Sequence, residues 1–504
     1  MRRKNWTVIA AVILLGVRTS GGNAQSAAAA TITASDVQRH IATIAHDSMR
    51  GRDTPSPGLE MTAAYAAAQF ASYGLKPAGD SGTFIQRYPY AARRTDPTAR
   101  MIELPGNPAF APVFARDYFV VPSVERVAET PAYYIGTAAP GMQIPEAARG
   151  SIFVAAVPDT IAPGAWQERL SAVFPLAMQY QARGMVLLLD PAVGAESLTR
   201  IAGPISEQVA PFPVFGLRWN AGSQLVAGTG LDSAALFSSA GAPPRPLPGL
   251  KLRMSTPVSV TVASVPNVVA MLPGSDPTLR DEYVVFSAHM DHVGVGPADA
   301  TGDSIFNGAD DDASGTSAIM EIAQAFAARP QPPARSVIFL LVSGEEKGLL
   351  GSEYFTANPP VPIGQIVADI NIDMIGRNHP DSVTAIGLDY TSLGPLALSV
   401  AAANPALKLA VAPDHQPEEH LFERSDHFNF AVRNVPAIFF TTGLHSEYHH
   451  PADEPETIDN EKLARVARLA YLLGEAVAQN PARPTWTGAG LDVVRAALAQ
   501  RAGQ

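Results

Sequence analysis

The sequence predicts an α/β fold in which an open, mostly parallel twisted sheet carries helices on both faces. Near-continuous apolar runs at residues 283–287, 336–342 and 366–372 have the composition of strands that are buried on both sides. Amphipathic patterns at 314–328 and 462–478 predict helices that alternate with or follow these strands. Such alternation is typical of a sheet covered by helices, where ligands bind at the carboxyl ends of the strands.

The first 24 residues have the three regions of a secretory signal peptide. Arg2, Arg3 and Lys4 precede an apolar run at 6–17, and small or polar residues follow to Ala24. The run is shorter than the roughly 20 residues that a membrane span needs. We therefore expect an exported protein, periplasmic or extracellular, without a stable membrane anchor after cleavage. The chain has no cysteine, so packing and bound metal must stabilise it.

The chain is long enough for two or three domains. Residues 30–120 are predicted to form the N-terminal part of the main domain, with helices at 33–45 and 59–73. Short apolar runs separated by Pro and Gly predict an inserted α/β domain at 121–249, and the main domain resumes at 250–504. The net charge of −11 offers nucleic acid no basic surface. The pattern does not predict an oligomeric state.

Ser-Ala-His-Met-Asp-His follows the first apolar strand and supplies two candidate residues. His289 and Asp291 are two residues apart, so in an extended segment their side chains share one face. His289 would bind a metal while Asp291 accepts a hydrogen bond from its other ring nitrogen. His292 would lie on the opposite face, which favours His289 as the ligand.

Gly-Ala-Asp-Asp-Asp-Ala-Ser-Gly leads into the predicted helix at 314–328. Three consecutive aspartates are also typical of a solvated turn or a calcium-binding loop. One carboxylate can, however, bridge two cations and balance their charge. Asp310 is the predicted bridging residue.

Glu345 and Glu346 follow the second apolar strand. Adjacent carboxylates repel, and their environments can push their pKa values apart, so one can bind metal while the other moves protons. We assign Glu346 as the ligand and Glu345 as the general base, with the reverse assignment as the alternative.

Two further candidates complete the set. Asp373 ends an apolar strand, where a charge needs a cation as its partner. His449 follows the strand predicted at 437–442 and is the last predicted ligand, with His445 and His450 as competitors.

Together these five motifs resemble peptidase family M28, of the bacterial aminopeptidase type. The resemblance covers residues 266–459 closely, and Met49-Arg-Gly-Arg52 looks like part of the same catalytic domain. Strand, helix and strand patterns at 151–156, 172–183 and 184–190 resemble a protease-associated (PA) domain. The resemblance implies two Zn²⁺ ions, one bound by His289, Asp310 and Asp373 and the other by Asp310, Glu346 and His449. It also implies that Tyr448 stabilises the oxyanion and that 425–427 lie near the site.

The implied activity is hydrolysis of peptide substrates at the amino terminus. A carboxypeptidase on the same scaffold would need a basic pocket, for which Arg377 and Arg424 are candidates. A glutaminyl cyclase would use one zinc ion, which disagrees with five ligands. A receptor-like binding protein would be expected to lack a ligand or the base.

Overall fold

The computed structural model describes residues 27–502, apart from gaps at 96–98, 100, 122, 124, 140, 159–172, 195–197, 199–209, 239–240, 257, 297 and 300. The predicted signal peptide at 1–24 lies outside the described residues. Among the described helices, none combines the length and the apolar composition needed to cross a bilayer.

The chain divides into two compact units. The first comprises 1–89 and 264–504, and the second comprises 90–263. The second unit is thus longer at both ends than the predicted insertion at 121–249. Both boundaries fall inside strands, β2 (Ile85–Thr95) and β10 (Val258–Leu272), so no Pro-rich or Gly-rich linker marks them in the sequence.

The first unit is built on a mixed sheet. Its strand order among the described residues is β1-β10-β12-β11-β13-β16-β14-β15, and β2 also pairs with β10. The remaining strands are β1 (Lys76–Pro77), β11 (Tyr283–His289), β12 (Ser336–Val342), β13 (Ile366–Ile372), β14 (Ser382–Ile386), β15 (Ala410–Ala412) and β16 (Ala437–Thr441). β11 is parallel to β12 and β13, and β13 is parallel to β16. β10 and β14 join this parallel centre in antiparallel orientation.

Helices cover both faces of this sheet, which confirms the predicted fold class. The helices of the first unit are α1 (Ala34–Ile44), α2 (Pro57–Ser72), α5 (Gly315–Ala327), α6 (Leu350–Ala357), α7 (Leu393–Ala403), α8 (His427–Ala431), α9 (Asn460–Gln479) and α10 (Gly488–Ala502). On one face, Phe286 and Phe339 pack in the cluster that contains the buried sides of α5 and α9. On the other, Ile338 packs with Phe355 of α6 and Phe430 of α8.

The local sequence explains where these helices begin. α2 follows Ser56, whose side chain accepts the backbone N–H of Leu59, and it carries Pro57 in its first turn. α9 follows Asp459, whose carboxylate accepts the N–H of Lys462. Each cap satisfies a backbone donor that the helix leaves without a partner.

The second unit has a separate sheet with the order β3-β9-β5-β6-β7-β8-β4. Its elements are β3 (Ile102–Glu103), β4 (Tyr118–Val121), β5 (Val127–Thr137), β6 (Ile152–Val157), β7 (Gly184–Leu189), β8 (Val214–Leu217), β9 (Arg245–Met254), α3 (Trp219–Leu225) and α4 (Ser233–Leu236). β5 to β8 are parallel, and apolar clusters form on both faces. Of the helix predicted at 172–183, residues 173–179 are helical. The likeness to a PA domain stays a prediction.

A buried arginine ties the N-terminal segment to the loops beyond β11. The side chain of Arg52 is fully buried, and it donates to the carbonyl oxygens of Ile44, Met290, Asn307 and Gly308 at 2.5–3.1 Å. Hydrogen bonds from a charged donor are among the stronger ones in proteins. Arg52 therefore fixes the backbone on either side of two of the predicted metal motifs.

Candidate metal centre

The predicted site residues meet at the carboxyl edge of the parallel strands. His289 is the last residue of β11, and Asp373 directly follows β13. Glu345 and Glu346 follow β12 by three and four residues, and His449 lies in the loop after β16. Since parallel strands end at the same edge, residues distant in sequence converge there.

Two groups of side chains that could bind a metal ion lie at this edge, and they share one residue. The first consists of His289, Asp311 and Asp373. The second consists of His292, Asp311, Glu346 and His449. In each group the ligand atoms lie within 4.8 Å of one another.

Short distances link the shared carboxylate to both groups. His289 Nε2 lies 3.2 Å from Asp311 Oδ1 and 3.5 Å from Asp373 Oδ1. The other oxygen, Asp311 Oδ2, lies 3.0 Å from His449 Nε2. That nitrogen is also 3.1 Å from Glu346 Oε2. Each oxygen of Asp311 thus faces a different group, as expected of a bridging carboxylate.

Asp310, the predicted bridging residue, lies outside both groups, and Asp311 is the aspartate that belongs to both. Asp310 Oδ1 accepts the N–H of Gly376 at 2.6 Å, and Oδ2 lies 3.4 Å from His445 Nε2. Asp310 therefore belongs to neither group and instead holds the loop after β13. The third aspartate, Asp312, is also structural, because Oδ1 accepts the N–H of Gly315 at the start of α5.

The carboxylate of Asp291 accepts hydrogen bonds from the backbone of the loop after β12 and not from the His289 ring. Its Oδ2 accepts from Gly344 N at 2.8 Å, and its Oδ1 accepts from Glu345 N at 3.3 Å. His289 Nδ1 lies 3.2 Å from the backbone carbonyl of Asp291 and 3.7 Å from its carboxylate. The predicted hydrogen bond to the ring is thus made by the carbonyl oxygen, and the carboxylate fixes the backbone of Glu345.

Glu345 and Glu346 are in opposite electrostatic environments. Burial raises the pKa of Glu345 well above its usual range, and the carboxylates of Glu346 and Asp373 add to this. Burial alone would also raise the pKa of Glu346, but the facing His449 imidazole lowers it to about 2. This difference agrees with the roles assigned from the sequence, in which Glu346 is the ligand and Glu345 the base.

The side chains of both groups fit divalent cations. Among the described residues, these buried atoms have no hydrogen-bond partner: Glu346 Oε1, Asp373 Oδ1, His449 Nε2, and Nδ1 and Nε2 of His292. A buried polar atom without a partner is costly, and a cation would satisfy several at once. Imidazole nitrogens and carboxylate oxygens are also ligands that Zn²⁺ prefers.

Ser425 holds one candidate ligand in place. Its hydroxyl donates to Asp373 Oδ2 at 2.8 Å and accepts from the side-chain amide of Asn371. Ser425 is buried, as are Asp426 and His427. These hydrogen bonds fix the Asp373 carboxylate so that Oδ1 faces His289.

Replacing Ser425 with alanine is expected to weaken metal binding by about 10–100-fold, because partners that orient a ligand carry this much affinity. A chelator-competition titration measures the change. Ser72→Ala, on an exposed turn of α2, is the control. An unchanged affinity in Ser425→Ala would contradict the orienting role of this hydroxyl.

A pocket opens beside the first group. Its walls include His289, Asp311, Glu345, Asp373, Met374, Leu421, Arg424, Phe439, Thr441, Gly443, Leu444 and Tyr448. Burial raises the pKa of Tyr448 well above its usual range, so its phenol is protonated at neutral pH. The pocket therefore combines the carboxyl group of Glu345, the hydroxyl group of Tyr448 and an apolar wall.

Comparison with known proteins connects this site to a family of peptidases. A model of the family described as Peptidase family M28 matches residues 267–473. A probable zinc metalloprotease from Pyrenophora teres f. teres is 34% identical over 137 residues, which are 27% of this chain and 27% of that protein. Leupeptin-inactivating enzyme 1 from Streptomyces exfoliatus is 31% identical over 23% of each chain. The chain spans about a quarter of the length of these curated relatives.

Solved structures resemble nearly the whole chain. An aminopeptidase from Aneurinibacillus sp. strain AM-1 has a TM-score of 0.57 at 18% identity, covering 91% of this chain and 97% of that one. The zinc aminopeptidase BSAP from Bacillus subtilis has a TM-score of 0.55 at 16% identity, covering 90% of this chain and 97% of that one. At these identities the likeness establishes the fold.

Proposed function

We propose that the chain is an exported zinc exopeptidase of peptidase family M28, specifically an aminopeptidase, and that it binds two metal ions; the model of this family matches residues 267–473. The observation that supports this function most strongly is that Asp311 belongs to both ligand groups, beside a pocket lined by Glu345. The two curated relatives are named as a zinc metalloprotease and a leupeptin-inactivating enzyme, and the compared structures as aminopeptidases. The signal-like pattern at residues 1–24 supports export.

The chemistry divides between the cations and the side chains. When bound, a pair of divalent cations lowers the pKa of water and polarises the substrate carbonyl. His289, Asp311 and Asp373 would hold one ion, and Asp311, Glu346 and His449 the other. Glu345 takes the proton from the attacking water and returns it to the leaving amine.

Two further residues support the hydrolysis, one by positioning Glu345 and one by stabilising negative charge. Asp291 fixes the Glu345 backbone through the hydrogen bonds described above. Tyr448 lines the same pocket as Glu345, and its protonated phenol donates a hydrogen bond to the carbonyl oxygen as negative charge develops there.

Charge around the pocket favours a free amino group as the recognised end of the substrate. Glu345 lines the pocket and belongs to neither ligand group, so its carboxylate can attract an ammonium group. Both arginines proposed for a carboxypeptidase pocket have acidic partners. Arg377 pairs with Glu447 at 2.7 Å, and Arg424 pairs with Glu419 at 2.9 Å.

The remaining walls favour an apolar side chain at the cleaved position. Met374, Leu421, Phe439 and Leu444 line the pocket. Burying an apolar substrate side chain against them contributes about 1.5–3 kcal/mol for a leucine-sized group. Amino-terminal leucine or phenylalanine is therefore the expected preference.

Substrates with a free amino group and the same substrates with an acetylated amino group test this proposal. We expect zinc-loaded protein to hydrolyse leucyl and phenylalanyl amides with free amines at least about 100-fold faster than their N-acetyl forms, since a missing charge partner costs a few kcal/mol. Cleavage of N-acetyl peptides that have a free carboxyl end would instead establish a carboxypeptidase. Conversion of amino-terminal glutamine to its cyclic form by protein with one zinc ion would establish a glutaminyl cyclase. A loaded protein that binds these peptides without turnover would be a binding protein.

A further inference from the structure

His292 lies where a further metal ligand would lie. It follows the end of β11 by three residues, and its side chain is fully buried. Nδ1 lies 2.9 Å from Glu346 Oε1 and 3.7 Å from Asp311 Oδ2. The ring meets that of His449 edge to face, with 5.5 Å between centroids. His292 therefore points at the second ligand group from within the protein.

His292 and Glu346 are in close contact. Although the two atoms are 2.9 Å apart, neither His292 Nδ1 nor Glu346 Oε1 has a hydrogen-bond partner among the described residues. Both atoms are buried. Buried polar atoms are seldom left without partners, and a cation bound beside both atoms would satisfy them together.

The backbone is shaped to accommodate this ring. Gly308 has φ +57°, and a β-carbon built on it would lie 2.5 Å from Cγ of His292. Only glycine leaves space for the imidazole at this point. The N–H of His292 also donates to the carbonyl of Arg52. His292 is thus held by a backbone hydrogen bond, and its ring packs against Gly308.

Distances within the group are close to those between neighbouring ligand atoms of a bound zinc ion. Zinc bonds of about 2.0–2.2 Å place neighbouring ligand atoms of a tetrahedron roughly 3.3–3.6 Å apart. The separations of 2.9, 3.0 and 3.1 Å are a few tenths of an ångström shorter than this range, and the separation of 3.7 Å is slightly longer. His292, Asp311, Glu346 and His449 each contribute one atom, and all four atoms lie within 4.8 Å of one another.

We propose that His292 is a fourth protein ligand in the second group, so that the two metal positions are unequal. This inference rests on the proposed function, in which both groups hold zinc. The second position then has four protein ligands, which is typical of a closed zinc site. The first position, with His289, Asp311 and Asp373, has three and keeps a coordination place open for water or substrate. The ion beside His292 binds first and more tightly, and the ion beside His289 exchanges faster.

X-ray absorption at the zinc edge tests this directly on the wild-type chain loaded with one equivalent of Zn²⁺. Outer-shell scattering from imidazole is expected to give two histidines per zinc, His292 and His449. One histidine per zinc would overturn the proposal. This readout needs no variant, so it does not depend on whether a substitution folds.

Variants provide the second measurement. His292→Asn is expected to show one imidazole per zinc at one equivalent and to weaken the tighter binding step at least 100-fold in a chelator competition, while the weaker step stays within threefold. His450→Asn, an exposed neighbour of His449, is the matched control and keeps both steps. Equal weakening of both steps by His292→Asn, with two imidazoles retained, would contradict ligation.

The outcomes separate this inference from the proposed function. Two imidazoles per zinc without hydrolysis of any peptide would leave the ligand in place and remove the peptidase. Hydrolysis of free-amine substrates with one imidazole per zinc would leave the peptidase and remove the ligand.

Discussion

Replacing Glu345 with glutamine is expected to lower kcat for a free-amine substrate by about 10²–10⁴-fold, the usual contribution of a general base. Glutamine keeps the size of the side chain but cannot accept and return a proton. Glu345 belongs to neither ligand group, so zinc content and fold should not change. Metal analysis, thermal unfolding and steady-state kinetics on the same preparation measure the three quantities.

Glu353→Gln is the matched control, because this glutamate is exposed on α6. It should keep wild-type kcat. Wild-type turnover in Glu345→Gln would remove Glu345 as the base. Loss of zinc in that variant would favour the reverse assignment, in which Glu345 is the ligand and Glu346 the base.

The largest effect is expected for Asp311→Asn. One side chain faces both groups, so its substitution should reduce zinc content to one ion or fewer per chain. An amide carries no charge to balance two cations, and losing several kcal/mol of charge stabilisation corresponds to about 10³-fold or more in kcat/KM. Metal content after gel filtration and kcat/KM with excess zinc measure both changes.

The variant Asp310→Asn distinguishes the role of Asp310 from that of Asp311. The amide oxygen of asparagine can still accept the N–H of Gly376, so the loop after β13 should persist. We expect two zinc ions and kcat/KM within tenfold of wild type. If Asp310→Asn lost both ions while Asp311→Asn retained them, Asp310 would be the bridging residue after all.

The sequence predicted the fold because its strands are buried on both faces. Apolar runs such as 336–342 match β12 residue for residue. The helix predicted at 314–328 lies within two residues of α5 (Gly315–Ala327), whereas the helix predicted at 172–183 is helical over 173–179. Periodicity also placed His289, Glu346, Asp373 and His449 at strand ends, where they meet.

The sequence could not select one aspartate from three in a row. The direction of each side chain depends on an irregular backbone, with φ 57° at Gly308 and φ −106°, ψ 97° at Asp311. That backbone is held from a distance, since Asp453 accepts the N–H groups of Asp310 and Asp311. No pattern local to 308–315 carries this information.

The sequence pattern favours His289 over His292 as a metal ligand for a similar reason. Alternation of side chains between faces holds inside a strand. β11 ends at His289, so the rule no longer applies three residues later. The second histidine in Ser-Ala-His-Met-Asp-His was the signal in the sequence for a further ligand. Interpreting it requires that the chain after His289 is not assumed to be extended.

The hydrogen bonds that Arg52 donates to four carbonyl oxygens limit how far this protein can be shortened. The family match begins at residue 267. The guanidinium group that binds the carbonyl oxygens of 290, 307 and 308 belongs to Arg52, which lies more than two hundred residues before the start of that match. A fragment trimmed to the matched stretch would leave those carbonyl oxygens without their donor. Protein engineers who shorten the chain should delete within 90–263 and retain residues 27–89.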